Sequence, residues 1–203
     1  MKTVFAVLPL VLFVAASSSA SPKTPQNLPH AKHPAVQTAH QAKKEMKMSI
    51  RPATEKDVDR MVELSDLKRT EYAGYSPVFW HKAADANPLQ VKFFHAQLSR
   101  DNNIILVAEE NGQVKGFIIA SIVNAPPVYD PGGSVCMIDD FTVSKPELWP
   151  TTGRALLQEA TRQAKTRGAV LSVIVCPHLD EVKRSMLKEN GSTIASEWYV
   201  HPL

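Results

Sequence analysis

Residues 135–176 decide the fold: Val135-Cys136-Met137-Ile138-Asp139-Asp140-Phe141-Thr142-Val143, then Thr151 through Arg167 ahead of Gly168, then Val170-Leu171-Ser172-Val173-Ile174-Val175-Cys176. The first run is rich in apolar, β-branched and aromatic residues and reads as a strand. The middle segment puts Leu156, Leu157, Ala160 and Ala164 on one inward stripe of a helix, and Gly168 supplies its stop. The third run is almost continuously apolar, which predicts a strand covered on both faces. Strand, helix and strand in this order form a βαβ unit, so the two strands run parallel.

Upstream, Ile104–Ala108 and Val114–Ile122 flank Asn111-Gly112, the preferred pair for a tight hairpin turn. Asn124–Ser134, with three prolines and Gly132-Gly133, is a loop. Ser49–Ala53 reads as a short strand, and Thr54-Glu55-Lys56-Asp57 as a capping box. Val58, Met61, Val62 and Ser65 then recur at helical spacing, predicting a helix to about Arg69. Residues 71–86 read as irregular, and Asn87-Pro88 as the cap and first-turn proline of a second helix that buries Val91, Phe94 and Leu98. Beyond the βαβ unit come a helix over Leu179–Asn190, ended by Gly191, and a closing strand over Thr193–Val200. The order β-α-α-β-β-β-α-β-α-β predicts an α/β (α+β) fold with a mixed central sheet and helices on both faces.

The chain has 203 residues, 44% of them hydrophobic, with two cysteines. That suits one domain and excludes a disordered chain or a disulfide scaffold. Residues 1–48 carry six Lys and one Glu, while the other 155 carry 17 basic and 19 acidic groups. So mildly acidic a body has no electrostatic footprint for nucleic acid. Lys2, the apolar run Val4–Ala16 and Ser17-Ser18-Ser19-Ala20 have the pattern of a signal peptide over residues 1–20. Its 13 apolar residues, broken by Pro9, fall short of the roughly 20 that span a bilayer.

Residues 21–48, with Pro22, Pro25, Pro29 and Pro34, read as a disordered linker before a domain at 49–203. Within it His30, His33 and His40 lack the rigid spacing of a metal site, and no metal is expected. The leader implies export, to the periplasm or the medium. The alternative is a cytoplasmic protein starting at Met48, because Lys43-Lys44-Glu45-Met46-Lys47-Met48 is what a purine-rich ribosome-binding site and start codon would encode. Cys136 and Cys176, at opposite ends of neighbouring parallel strands, are expected as free thiols.

In a βαβ unit the strand ends and the helix amino end converge, and free N–H groups there favour an anion such as a pyrophosphate. Thr151, Thr152, Gly153 and Arg154 would line that place, unless Thr151 or Thr152 merely caps the helix and Gly153 merely packs. Asp139 and Asp140 interrupt an apolar strand, where strict alternation sends them to opposite faces. A buried carboxylate has a raised pKa and becomes a better base near neutral pH. Tyr72, Tyr75, Phe79 and Trp80 are candidates for an aromatic wall facing a cation. His81 and His178 read as surface or cap residues.

Ile50-Arg51-Pro52-Ala53-Thr54, the Val107–Gly116 hairpin, Ile138-Asp139-Asp140-Phe141-Thr142-Val143 and Gly153-Arg154-Ala155-Leu156-Leu157 together resemble the GNAT superfamily of acetyl-CoA-dependent N-acetyltransferases. The likeness spans residues 49–203. It implies a GNAT-like fold and transfer of acetyl from acetyl-CoA, the co-substrate, to a primary amine of a small molecule or peptide. It also implies that the backbone of Phe141, Thr142 and Val143 pairs with the pantetheine arm, that Asp139 is the base and Asp140 a substrate contact, and that Tyr72, Tyr75 and Trp80 border the acceptor. A homodimer is one option for its assembly.

Several positions depart from the family pattern. Leu148 and Thr151 stand where the phosphate loop usually has Arg or Gln and its first glycine, and Pro150 removes an N–H. Leu187 replaces the frequent general-acid tyrosine, leaving Tyr199 or Cys176 as substitutes. Only twelve residues follow Gly191, too few for the family's last strand. The alternative reading is therefore a catalytically inactive GNAT-fold binding module, exported and acting through ligand or protein contacts.

Overall fold

A computed structural model describes residues 48–203; the expected signal peptide, and the expected linker with its histidines up to residue 47, lie outside the described residues. Five strands form one sheet in the order β1 (Met48–Pro52), β2 (Asn103–Glu110), β3 (Gln113–Val123), β4 (Ser134–Val143) and β5 (Ala169–Ile174). All neighbours are antiparallel except β4 and β5, the parallel pair of the βαβ unit. Asn111 and Gly112 both take positive φ, 52° and 75°, so the β2–β3 turn has the conformation its sequence asks for.

Helices cover both faces. On one, α1 (Val58–Tyr75) and α2 (Ala86–Leu98) bury Val58, Met61, Leu64 and Phe94 against Val107, Phe117 and Ile119. On the other, α3 (Arg154–Thr166) and α4 (Glu181–Glu189) bury Leu156, Leu157, Ala160, Met186 and Leu187 against Leu106, Ile118, Ile138 and Phe141. The capping box is present: the Asp57 carboxylate accepts from the Thr54 N–H at 2.8 Å and starts the turn that leads into α1. Both thiols are free, Cys136 buried and Cys176 half-buried.

Four expectations are corrected. Helix α1 runs six residues past Arg69, to Tyr75, because Tyr72 is buried with its ring 5.4 Å from that of Trp80, and this tertiary anchor outweighs the weak helix propensity around Gly74. Helix α2 is capped at Asp85, leaving Asn87 and Pro88 inside the first turn, where a missing N–H is tolerated. Strand β5 is not covered on both faces; it is the sheet edge, with Val170 52% exposed. The closing strand over Thr193–Val200 does not form, since Trp198 packs edge-on against Phe79 at 6.2 Å and so holds the tail at the end of α1.

Candidate active site

The β3–β4 register changes at the acidic pair. Ile118 faces Phe141 and Ala120 faces Ile138, so Asp139 and Asp140 together oppose Ile119. This is a β-bulge, and it overturns the strict alternation expected of the two carboxylates. Ile138 and Phe141, three apart, consequently both bury on the α3 side. Asp140 turns to α1, where its carboxylate lies 3.5 Å from Lys68 Nζ. Asp139 reaches water but is walled by protein on several sides. That desolvation, reinforced by Asp140, raises its carboxyl above the ordinary range, while Lys68 and Lys183 pull the other way.

Beyond the bulge the sheet forks. Pairing of β4 with β5 runs from Ser134–Ala169 to Ile138–Ile174 and ends with the Val175 N–H on the Ile138 carbonyl at 2.9 Å. Past that point the Phe141 carbonyl turns into the fork, where it accepts from Lys183 Nζ at 3.2 Å. Backbone groups alternate along a strand, so Val143 presents its N–H and carbonyl to the fork as well, and Thr142 faces β3. Of the three residues expected to pair with an extended ligand, Phe141 and Val143 therefore face the fork, with the Phe141 carbonyl held by Lys183, and Thr142 does not face it. A cavity of about 50 Å³ opens at the fork's mouth, bordered by Lys68, Tyr72, Val143, Trp149 and Asp180.

The segment after β4 delays the start of α3 from the expected Thr151 to Arg154. A 3-10 turn over Pro146–Leu148 leads into a wide π turn over Trp149–Gly153, and only then does α3 begin. Thr151 and Thr152 thus lie in the π turn, and neither caps α3. Thr152 is buried, and the Thr151 hydroxyl is 3.5 Å from the Leu148 carbonyl. Trp149 turns inward, edge-on to Phe141 at 4.8 Å, and a Cβ on Gly153 would come within 2.5 Å of the Trp149 ring. Arg154 donates to the Pro150 carbonyl and pairs with Glu189, so its guanidinium is engaged within the protein.

Tyr72, Tyr75 and Trp80 do come together, with Tyr72–Tyr75 centroids 5.6 Å apart. The Tyr72 hydroxyl donates to Asp180 at 3.3 Å, and Lys68 Nζ lies 5.9 Å from the centre of the Tyr72 ring. Neither proposed stand-in for the missing tyrosine is suited to its task. Tyr199 is 88% exposed and bonded to Glu197, and burial pushes the Cys176 thiol up to about 11. Leu187, at the family's tyrosine position, is buried in the α4 packing. The sequence reading passed over Lys68 and Lys183; the signal for Lys183 was a lysine sharing the inward stripe of α4 with Met186 and Leu187. Among the described residues no cluster of His, Cys, Asp or Glu is arranged to hold a metal, and no helix is long and apolar enough to cross a membrane.

Residues 63–189 match the Acetyltransferase (GNAT) family, and the chain belongs to it. A predicted acetyltransferase from Clostridium acetobutylicum, solved with acetyl-CoA, is similar with a TM-score of 0.61 at 20% identity, over 77% of this chain and 96% of its own. An aminoglycoside N-acetyltransferase in complex with CoA gives 0.61 at 13% identity, over 80% and 98%. An aminoglycoside 6'-N-acetyltransferase from Acinetobacter baumannii gives 0.59 at 14%, over 77% and 98%. At these identities the likeness is one of fold. No curated protein matches the sequence.

Proposed function

We propose that this protein transfers acetyl from acetyl-CoA to a primary amine of a small molecule or peptide. The observation that carries the reading is the fork beside the Asp139-Asp140 bulge, where the β4 backbone at Phe141 and Val143 has no partner strand on the β5 side and a carboxylate of raised pKa lies close by. The free edge suits the amide-bearing pantetheine arm, which would add as a short strand. Pyrophosphate binding would fall to main-chain N–H groups between Ser144 and Gly153, less those absent at Pro146 and Pro150. Asp139, directly or through water, takes the proton from the incoming ammonium; the neutral amine attacks the thioester carbon, the N–C bond forms as the C–S bond breaks, and the second nitrogen proton goes to the departing thiolate. Holding the two reactants together supplies much of the rate. Tyr72, Tyr75 and Trp80, with Asp140 close by, form the side where a cationic acceptor would lie.

The test joins calorimetric titration of acetyl-CoA with an amine panel. Acetyl-CoA should bind at micromolar concentrations, and Asp139→Asn should cut transfer by about a hundredfold or more while leaving binding unchanged. Unaltered turnover in the variant removes Asp139 as the base. The engaged Arg154 and the lysine-filled fork favour a second reading, a non-catalytic GNAT-fold binding module. Absence of binding at millimolar acetyl-CoA in a folded sample would select it.

A further inference from the structure

Lys183 is the most unusual group in the described chain. It is 1% exposed, and its Nζ spans the fork, donating to the Phe141 carbonyl at 3.2 Å and the Val175 carbonyl at 3.0 Å. The rings of Phe141 and Trp149 lie 5.2 and 5.1 Å away. An amine buried on neutral acceptors keeps its charge poorly. The titratable and charged groups around it are Lys68 and Tyr72 from α1, Asp139 from β4, Cys176 after β5 and Asp180 at the start of α4. Burial, the largest influence, lowers the amine to about 8. The amine therefore sheds its proton more readily than an exposed lysine.

We infer that Lys183 is an acyl-acceptor site, acetylated at Nζ by an acetyl thioester seated in the fork between β4 and β5. The inference rests on the acetyl-CoA reading above. A ligand that pairs with the Phe141–Val143 edge must take the Phe141 carbonyl from Nζ, and it thereby brings a thioester beside the displaced amine. The nitrogen lone pair attacks the carbonyl carbon, the N–C bond forms and the C–S bond breaks. The proton shed by nitrogen goes to the departing thiolate, giving an amide and free CoA thiol. Lys68 is not an equivalent target, being held by Asp140 at 3.5 Å. The product limits itself, since an amide has one N–H where the ammonium had three donors, and the new acetyl group occupies the fork.

The whole protein is incubated with acetyl-CoA and no other amine, then analysed by intact mass and peptide mapping. One acetyl group should appear on Lys183, more than about tenfold faster than on exposed lysines such as Lys165. Its rate should saturate with acetyl-CoA, fall with added CoA and rise between pH 7 and 9. Transfer to an outside amine should decline as Lys183 is modified. Lys183→Arg should lose the modification; Lys183→Met is the alternative if that variant does not fold. Acetyl-CoA binding without modification of Lys183 overturns the inference and leaves the transferase reading standing. Labelling spread over exposed lysines, linear in acetyl-CoA, also overturns it, as chemical acetylation alone. Failure of acetyl-CoA to bind overturns both.

Discussion

Gly153→Ala separates two roles for the glycine at the junction of the π turn and α3. Gly153 has φ −61° and ψ −48°, ordinary helical values, so it is not there for backbone freedom. In a helix with open space, alanine would stabilise by about 1 kcal/mol. Here the added Cβ would lie 2.5 Å from Trp149 Cε3 and 3.2 Å from Cζ3. The indole cannot retreat, because it is 5% exposed and set edge-on against Phe141. Overpacking of this kind costs about 1–3 kcal/mol, so the net loss is up to about 2 kcal/mol. Urea unfolding should show a midpoint lower by up to about 1 M. With Trp149→Leu in place the clash disappears, and Gly153→Ala should become neutral or stabilising by about 1 kcal/mol. The coupling between the two sites is then about 1–3 kcal/mol, the cost of the overpacking itself. A stabilising effect of Gly153→Ala beside the intact tryptophan, or additivity within about 0.5 kcal/mol, refutes the packing argument. Acetyl-CoA affinity in the Trp149→Leu background completes the test: if Gly153 only makes room for Trp149, it stays unchanged on Gly153→Ala.

Two other substitutions probe what holds the site in place. Arg51 donates twice to Asp57 at 2.8 Å, and this pairing, with the Thr54 cap, holds the Asp57 carboxyl down at about 2. That depression corresponds to about 2–3 kcal/mol, present above the ordinary carboxylate pKa and lost as pH falls through the depressed value. Asp57→Asn should therefore lower stability by about that amount near pH 7, with the gap closing on acidification; a gap that is constant with pH refutes the ion-pair account. Tyr72→Phe removes a buried hydroxyl from Asp180, which also accepts the Lys183 N–H at 3.1 Å as the cap of α4. It should cost about 1 kcal/mol in urea unfolding, and no change would mean that the 3.3 Å contact contributes nothing.

The parts of the fold that were legible in the sequence are those fixed by local chemistry. Asn111-Gly112 dictates its turn, Thr54 and Asp57 their cap, and Leu156, Leu157, Ala160 and Ala164 the buried stripe of α3. Features decided by contacts distant in sequence were not. The last turns of α1 exist because Tyr72 meets Asp180, 108 positions away. The tail leaves the sheet because Trp198 meets Phe79. At the site, Asp139 and Asp140 stood out as charges in an apolar strand. Their placement depends on a bulge that is a property of the β3–β4 register, so a rule of alternation within one strand could not find it.

The departures from the family pattern are linked by packing. Trp149 turns inward from the π turn, and its indole needs the bare Gly153 beneath it. Once inward, that ring closes over Phe141 and lies beside the Lys183 ammonium. One turn further along α4, Leu187 is packed into the same apolar layer that Trp149 and Phe141 help to form. A tyrosine there would need a partner for its hydroxyl within that apolar layer, where the Lys183 amine is already engaged with two carbonyls. Indole, glycine, leucine and lysine therefore make up one arrangement. Replacing any of them singly leaves the other three unmatched, so such replacements should combine far from additively.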